Sequence, residues 1–166
     1  ADFRGKVVTV FFGFTHCPDV CPTTLAEMAQ VMKELGSDAD KLQVLFVTVD
    51  PERDTQKVLA QYVPSFHPAF LGLHGDAEAT ARAAKSFKVY YQKRPVEGRG
   101  YSVDHSAGTF VLDREGKVFW SYLSPIDVNP GVDGVLDALE RLDGEQPAAL
   151  AAGQELRDSK HEEAHP

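Results

Sequence analysis

Residues 7–14 read Val-Val-Thr-Val-Phe-Phe-Gly-Phe and run directly into Thr15-His16-Cys17-Pro18-Asp19-Val20-Cys21-Pro22. The apolar stretch is too short to cross a bilayer, which takes about 20 residues. Its length and its Val and Phe content predict a buried central strand. The segment with two prolines then breaks that strand. A helix is predicted from Thr23 to Leu35, because Leu25, Met28, Val31, Met32 and Leu35 repeat at three- and four-residue spacing and build one apolar face. Pro22 suits the first helical position, where its missing N–H is not needed, and Gly36 is a natural stop.

A second strand is expected over Leu42–Val49. The turn Asp50-Pro51-Glu52-Arg53-Asp54 follows, then a helix over Thr55–Val63 and a short strand over Phe70–Leu73. Asp76 is placed to cap a helix reaching Ser86. Val89–Tyr91 extends briefly, and the polar, glycine-containing residues 92–104 read as a loop or flap. Thr109–Leu112 and Val118–Trp120 flank Asp113-Arg114-Glu115-Gly116, a hairpin signal. A final helix is expected over Val132–Leu142. The first half therefore gives parallel βαβ pairing with a right-handed crossover, and the hairpin adds antiparallel strands at one side. This is an α/β class, a thioredoxin-like mixed sheet flanked by helices, in a single domain over residues 1–142. Residues 143–166 lack a clear apolar face and are expected to form a mobile tail.

Composition narrows the function. With 17 Lys and Arg against 25 Asp and Glu the formal charge is −8. Nucleic-acid binding needs clustered positive charge, so nucleic acid is not the expected partner. The start Asp2-Phe3-Arg4-Gly5-Lys6 lacks the apolar stretch of a signal peptide. A strand follows it within a few residues, so a segment is expected to be missing ahead of it.

The chain has 2 cysteines, placed four residues apart. Two cysteines set together read as a site and not as a framework. They lie where a central strand hands over to a helix, and the carboxyl ends of strands are where open α/β sheets gather ligands. A helix N-terminus favours thiolate, the form that binds metal or attacks a disulfide. Three residues separate the cysteines, where thiol–disulfide exchange motifs usually have two. A four-residue helical step brings side chains to one face with Cβ atoms about 5–6 Å apart. Two thiolates at roughly 2.3 Å from one ion need sulfurs within about 4.6 Å. The same step can also close a disulfide, so the pair alone supports both uses.

Unless the ion is linear Cu(I), a third ligand is required. Thiolates select soft ions such as Cu(I), and imidazole suits both copper states. Among the histidines, His105 is best placed. It precedes the strand Thr109–Leu112, at the end of a loop able to lie over the turn after the first strand, and Asp104 could orient its ring. Loop histidines are commonly just solvated side chains. His67 and His74 read so, His16 is expected to point away from Cys17, and His161 and His165 sit in the tail. Asp50, Arg53 and Asp54 read as turn and cap residues.

Phe12-Gly13-Phe14-Thr15-His16-Cys17-Pro18-Asp19-Val20-Cys21-Pro22 closely resembles the Sco/SenC family. The resemblance continues through DFRGKVV (2–8), VTVDPERDT (47–55) and VDHSAGTFVLD (103–113), and covers roughly residues 2–142. It implies a thioredoxin fold and one copper ion per chain, Cu(I) or Cu(II), on Cys17, Cys21 and His105. It implies a metallochaperone that matures the dinuclear copper centre of cytochrome c oxidase. The expected partners are subunit 2 or another copper acceptor, and a copper donor. Membrane attachment is expected only through a lost N-terminal anchor, the chain being a monomer. The location is extracytoplasmic, with the bacterial periplasm favoured over the mitochondrial intermembrane space. Against that pattern, the anchor and the short hairpin that normally precede DFRGK are expected to have been trimmed or lost, and the tail is extended. Ala107 aligns where redox thioredoxins carry a cis-proline facing their dithiol.

The alternative function is a thiol–disulfide reductase in which Cys17 and Cys21 keep the acceptor's copper-ligand cysteines reduced. A peroxidase is disfavoured, because Thr15 stands two residues before Cys17 instead of three. A closed structural zinc site would need a fourth ligand.

Overall fold

The strand β1 (Val7–Gly13) is buried along its whole length, as a strand covered on both faces must be. Side chains alternate across a strand. Val8, Val10 and Phe12 join one apolar cluster, and Val7 and Phe11 join the other. The computed structural model of the chain describes residues 2–18, 20–124 and 131–144. Within it β1 pairs in parallel with β2 (Leu42–Thr48), which pairs in parallel with β3 (Leu71–Leu73). On its other side β1 pairs antiparallel with β6 (Ala107–Leu112), which pairs with β7 (Val118–Ser124). The sheet order is β3-β2-β1-β6-β7, the expected mixed thioredoxin plan in one domain.

The helix α1 (Val20–Leu35) packs with α4 (Gly131–Asp143), and both enter the cluster that holds Val7, Phe11 and Phe46. Leu59 of α2 (Gln56–Tyr62) joins the same cluster. The opposite face is covered by α3 (Ala77–Phe87), whose Phe87 ring meets Phe12 at 5.3 Å and Phe110 at 4.8 Å. Phe46 and Leu25 have no exposed surface, and burial of each contributes about 1.5–3 kcal/mol. The helix starts follow their caps. Thr55 accepts from Val58 N at 3.3 Å, and Asp76 accepts from Ala79 N at 2.7 Å, satisfying amides that have no partner inside the helix.

Two expectations are corrected. The helix α1 begins at Val20, three residues ahead of the predicted start. Pro22 therefore sits in its third position, still within the first turn, where no intrahelical acceptor waits for its absent N–H. Residues 92–104 are not a loop. They contribute to β4 (Tyr91–Val96) and β5 (Gly100–His105), an antiparallel pair that forms its own two-stranded sheet. The ribbon was hidden because β4 is polar, exposed beyond Tyr91 and contains Pro95. A proline is tolerated where a strand has an open edge. Gly98 and Gly100, with φ of 72° and 82°, make its tight reversal. The tail expected from residue 143 lies outside the described residues from 145 onward. Among the described residues no helix is long and apolar enough to cross a membrane.

Gly13 ends β1 directly beneath the first turn of α1. A Cβ there would stand 2.5 Å from Cys21 Sγ and 3.0 Å from a ring carbon of Phe46. Gly13→Ala is therefore expected to destabilise the metal-free protein by about 1–3 kcal/mol through overpacking. Urea unfolding of the reduced protein measures this, and a change below about 0.5 kcal/mol would show that the sulfur has room to move.

Candidate metal centre

Cys17 lies in the turn between β1 and α1, closed by its N–H donating to Phe14 O at 3.1 Å. Cys21 lies in the first turn of α1 and is 2% exposed, whereas Cys17 is half-buried. No disulfide joins them. His105 ends β5 and is half-buried. Its Nε2 stands 3.8 Å from Cys21 Sγ. The two sulfurs and one ring nitrogen of His105 all lie within 4.8 Å of one another. With ligand bonds of roughly 2.0–2.3 Å, three donors in a plane around one ion stand about 3.7–4.0 Å apart. A small contraction therefore closes the site on a single metal ion. The three residues predicted as ligands are those that the fold brings together.

Which nitrogen faces the sulfurs follows from the far side of the ring. His105 Nδ1 is 3.0 Å from Ser106 O. A carbonyl only accepts, so Nδ1 carries the proton and Nε2 keeps its lone pair toward the thiols. Asp104, expected to orient this ring, instead pairs with Arg94 at 2.5 Å; successive strand residues point to opposite faces. Phe14 meets the His105 ring edge-on, with centroids 5.6 Å apart.

The electrostatics also differ from expectation. A helix N-terminus was expected to favour thiolate. The Cys21 thiol is instead pushed well up, first by its hydrogen bond with Cys17, then by burial and by the charge of Cys17, with Asp54 adding to it. Tyr62 is pushed up to about 12 by burial, with Cys21, Cys17 and Asp54 contributing negative charge. Without metal, the site holds a proton at Cys21. A bound cation replaces that proton and relieves the crowding of negative charge.

The residues that sequence reasoning undervalued are Asp50 and Asp54. They read as turn and cap residues, and they do close the turn, since Asp54 N donates to Asp50 O at 2.9 Å. Both are also fully buried. Asp54 accepts from Thr15 N at 2.9 Å, from the Thr15 hydroxyl at 2.5 Å and from the Thr48 hydroxyl at 2.7 Å. It thereby ties the cysteine-bearing turn to the end of β2. The Thr15 hydroxyl is thus engaged by Asp54. The signal was the position of both carboxylates just past the carboxyl end of a central strand, beside the cysteine turn. The other described histidines stay outside the site. His16 is 3.9 Å from Asp54 with over half its side chain exposed. His67 Nδ1 accepts from Ala69 N at 3.2 Å, and His74 Nε2 is 3.1 Å from Pro51 O. His161 and His165 lie outside the described residues. Ala107, at the position aligned with the thioredoxin cis-proline, packs part-buried against the core. Among the described residues no fourth side chain joins the group of three.

The mitochondrial SCO2 homolog of Bos taurus is 47% identical over 127 residues, covering 75% of this chain and 47% of that protein. The chain thus spans about half the length of the curated relatives it matches. The copper-bound structure of Bradyrhizobium japonicum ScoI is 38% identical, with a TM-score of 0.73, covering 85% of this chain and 87% of that one. The structure of BsSco, a member of the Sco family of cytochrome c oxidase assembly proteins in which a disulfide switch was identified, is 28% identical. Its TM-score is 0.60, and the match covers 87% of this chain and 84% of that one. A model of the SCO1/SenC family matches residues 1–135, and the chain belongs to that family.

Proposed function

We propose that this chain carries one copper ion on Cys17, Cys21 and His105 and passes it to an acceptor protein during maturation of the dinuclear copper centre of cytochrome c oxidase. The observation that carries this reading is the convergence of two sulfurs and one imidazole nitrogen within 4.8 Å. Two soft donors and one borderline donor select copper over hard cations. The copper-bound relative and the Sco family's association with oxidase assembly support it. A site of this kind acts in an extracytoplasmic compartment, the periplasm being favoured, beside a membrane-bound acceptor such as subunit 2.

The geometry is suited to transfer. Cys17 is the more exposed thiol, and Pro18 next to it is exposed. An incoming acceptor thiolate reaches the ion on the Cys17 side, while buried Cys21 holds it from the core side. Three ligands leave the ion open to a fourth, so transfer proceeds by ligand exchange without release into water. The copper ion is cargo, and the chain's own part is to hold it in a site that opens from one side.

The Cys17–Cys21 hydrogen bond supports a second reading, a thiol–disulfide reductase. The Cys17 thiolate would attack an acceptor disulfide and form a mixed disulfide. Cys21 would then resolve it, leaving a Cys17–Cys21 disulfide here and two thiols on the acceptor. The disulfide switch found in BsSco supports this reading. A Cys21→Ser variant should then accumulate an acceptor adduct on Cys17. Intact copper delivery with no such adduct would leave the carrier role alone.

Copper competition tests the first reading. His105→Ala is expected to weaken Cu(I) binding by about 100-fold or more, at or above the upper end of the range for outer-shell changes. The measurement is titration of the reduced protein against a Cu(I) chelator, and parent-like affinity would remove His105 from the site.

The raised Cys21 thiol predicts an alkaline weakness. In the unfolded chain this thiol ionises near the ordinary value of about 8.5. In the folded, metal-free protein it keeps its proton to higher pH. The folded state then binds more protons, so its stability is full below that ordinary value. Stability falls as pH rises toward the raised one. Urea midpoints of the reduced protein between pH 7 and 10 should decline, and a Cys21→Ser variant should decline less. Parallel curves would refute the assignment.

A further inference from the structure

β5 carries His105 but has no strand partner in the main sheet; among the described residues it pairs with β4 alone. Beyond its continuation through Ser106 into β6, it is tied to the body mainly on one face. Val103 is 4% exposed and enters the core. Tyr101, on the same face as Val103 and His105, donates its hydroxyl to Asp50 Oδ1 at 2.7 Å. Arg53 completes a closed ring of contacts. Its Nε donates to Asp50 Oδ2 at 2.5 Å, and its Nη1 donates to Tyr101 O at 3.0 Å. Its guanidinium lies over the Tyr101 ring at 3.9 Å and stands 5.9 Å from the centre of Phe14. Nη2 is buried without a hydrogen-bond partner, so the aromatic faces are what that edge of the cation meets. Phe14 in turn braces the His105 ring. Lys93, paired with Glu52, covers the Tyr101 ring at 4.9 Å.

We propose that Arg53, held by Asp50, is a positioning residue for the third metal ligand: it pins β5 to the turn after β2 and sets where His105 stands relative to the two sulfurs. The inference rests on the reading of His105 as a ligand. Two features of Arg53 are required together. Its planar fork spans a carboxylate and a backbone carbonyl, and its face stacks on the ring of the strand it holds. Lysine supplies neither the fork nor the stack. The hydrogen bonds of Arg53 run to Asp50 and to β5, the strand that ends in His105, and dependence of its effect on His105 is what separates positioning from a general contribution to folding.

The test is a double-mutant cycle on Cu(I) affinity with Arg53→Gln and His105→Ala, alone and combined. Arg53→Gln alone is expected to weaken Cu(I) by about 10–100-fold, and to change affinity by less than about 2-fold when His105 is already Ala. Paramagnetic resonance of the Cu(II) form should show nitrogen coupling reduced in Arg53→Gln and absent in His105→Ala. Tyr101→Phe removes only the hydroxyl contact and should shift affinity the same way by a smaller factor; it carries the same cycle if Arg53→Gln does not fold. Equal losses with and without His105 would overturn the proposal, as would unchanged affinity and nitrogen coupling in Arg53→Gln while His105→Ala alone weakens binding. Parent-like affinity in His105→Ala alone would overturn instead the ligand assignment beneath it.

Discussion

Two carboxylates with no exposed surface, Asp50 and Asp54, join the parts of the metal centre. Burying a carboxylate costs several kcal/mol unless hydrogen bonds replace its water. Asp54 is satisfied by the Thr15 amide and the Thr15 and Thr48 hydroxyls. Asp50 is satisfied by Arg53 and Tyr101. The donors come from the cysteine turn (Thr15), the end of β2 (Thr48), the turn after it (Arg53) and the ribbon that bears His105 (Tyr101). A buried polar group left unpaired is far more costly than one never placed there. The network thus forms as a whole, and its formation fixes the cysteine turn against the histidine strand.

The electrostatic character of the centre follows from what surrounds the sulfurs. Cys21 is buried beside a second thiol and feels the negative charge of Asp54. The arrangement resists a bare thiolate and welcomes a cation that can replace the proton. A helix N-terminus pulls the other way, but direct hydrogen bonding and desolvation act at shorter range and prevail. The result is a Cys21 thiol that keeps its proton without metal and gains from a soft positive ion that replaces it.

The three candidate ligands are divided between unlike parts of the fold. Cys21, in the first turn of α1, faces the core against a glycine that leaves room for its sulfur. His105 sits on a ribbon whose outer strand is largely exposed, and regions with few buried contacts open at lower free energy than core elements. Two sulfurs on or beside the core thus meet one imidazole on a ribbon that Val103 and Tyr101 tie to the body.

The sequence by itself determined the local matters. The apolar run of β1, the period of α1, the caps at Thr55 and Asp76, and the pairing of two cysteines at a strand's carboxyl end are all decided by neighbours in the chain, where spacing and side-chain chemistry act directly. The cysteine pair was legible for the same reason, whereas His105, 84 residues beyond Cys21, was a candidate by position and was marked as a ligand by the resemblance to the Sco/SenC family. Tertiary structure alone decided the rest. The polar ribbon of β4 and β5 exists because Val103 and Tyr101 dock on distant residues, not because of its own period. The roles of Asp50 and Asp54 depend on burial, which no turn motif reveals. The direction of the Cys21 shift depends on which groups crowd the sulfur in space. Each of these is a sum over contacts from segments tens of residues apart, and such sums are settled only when the chain has closed on itself.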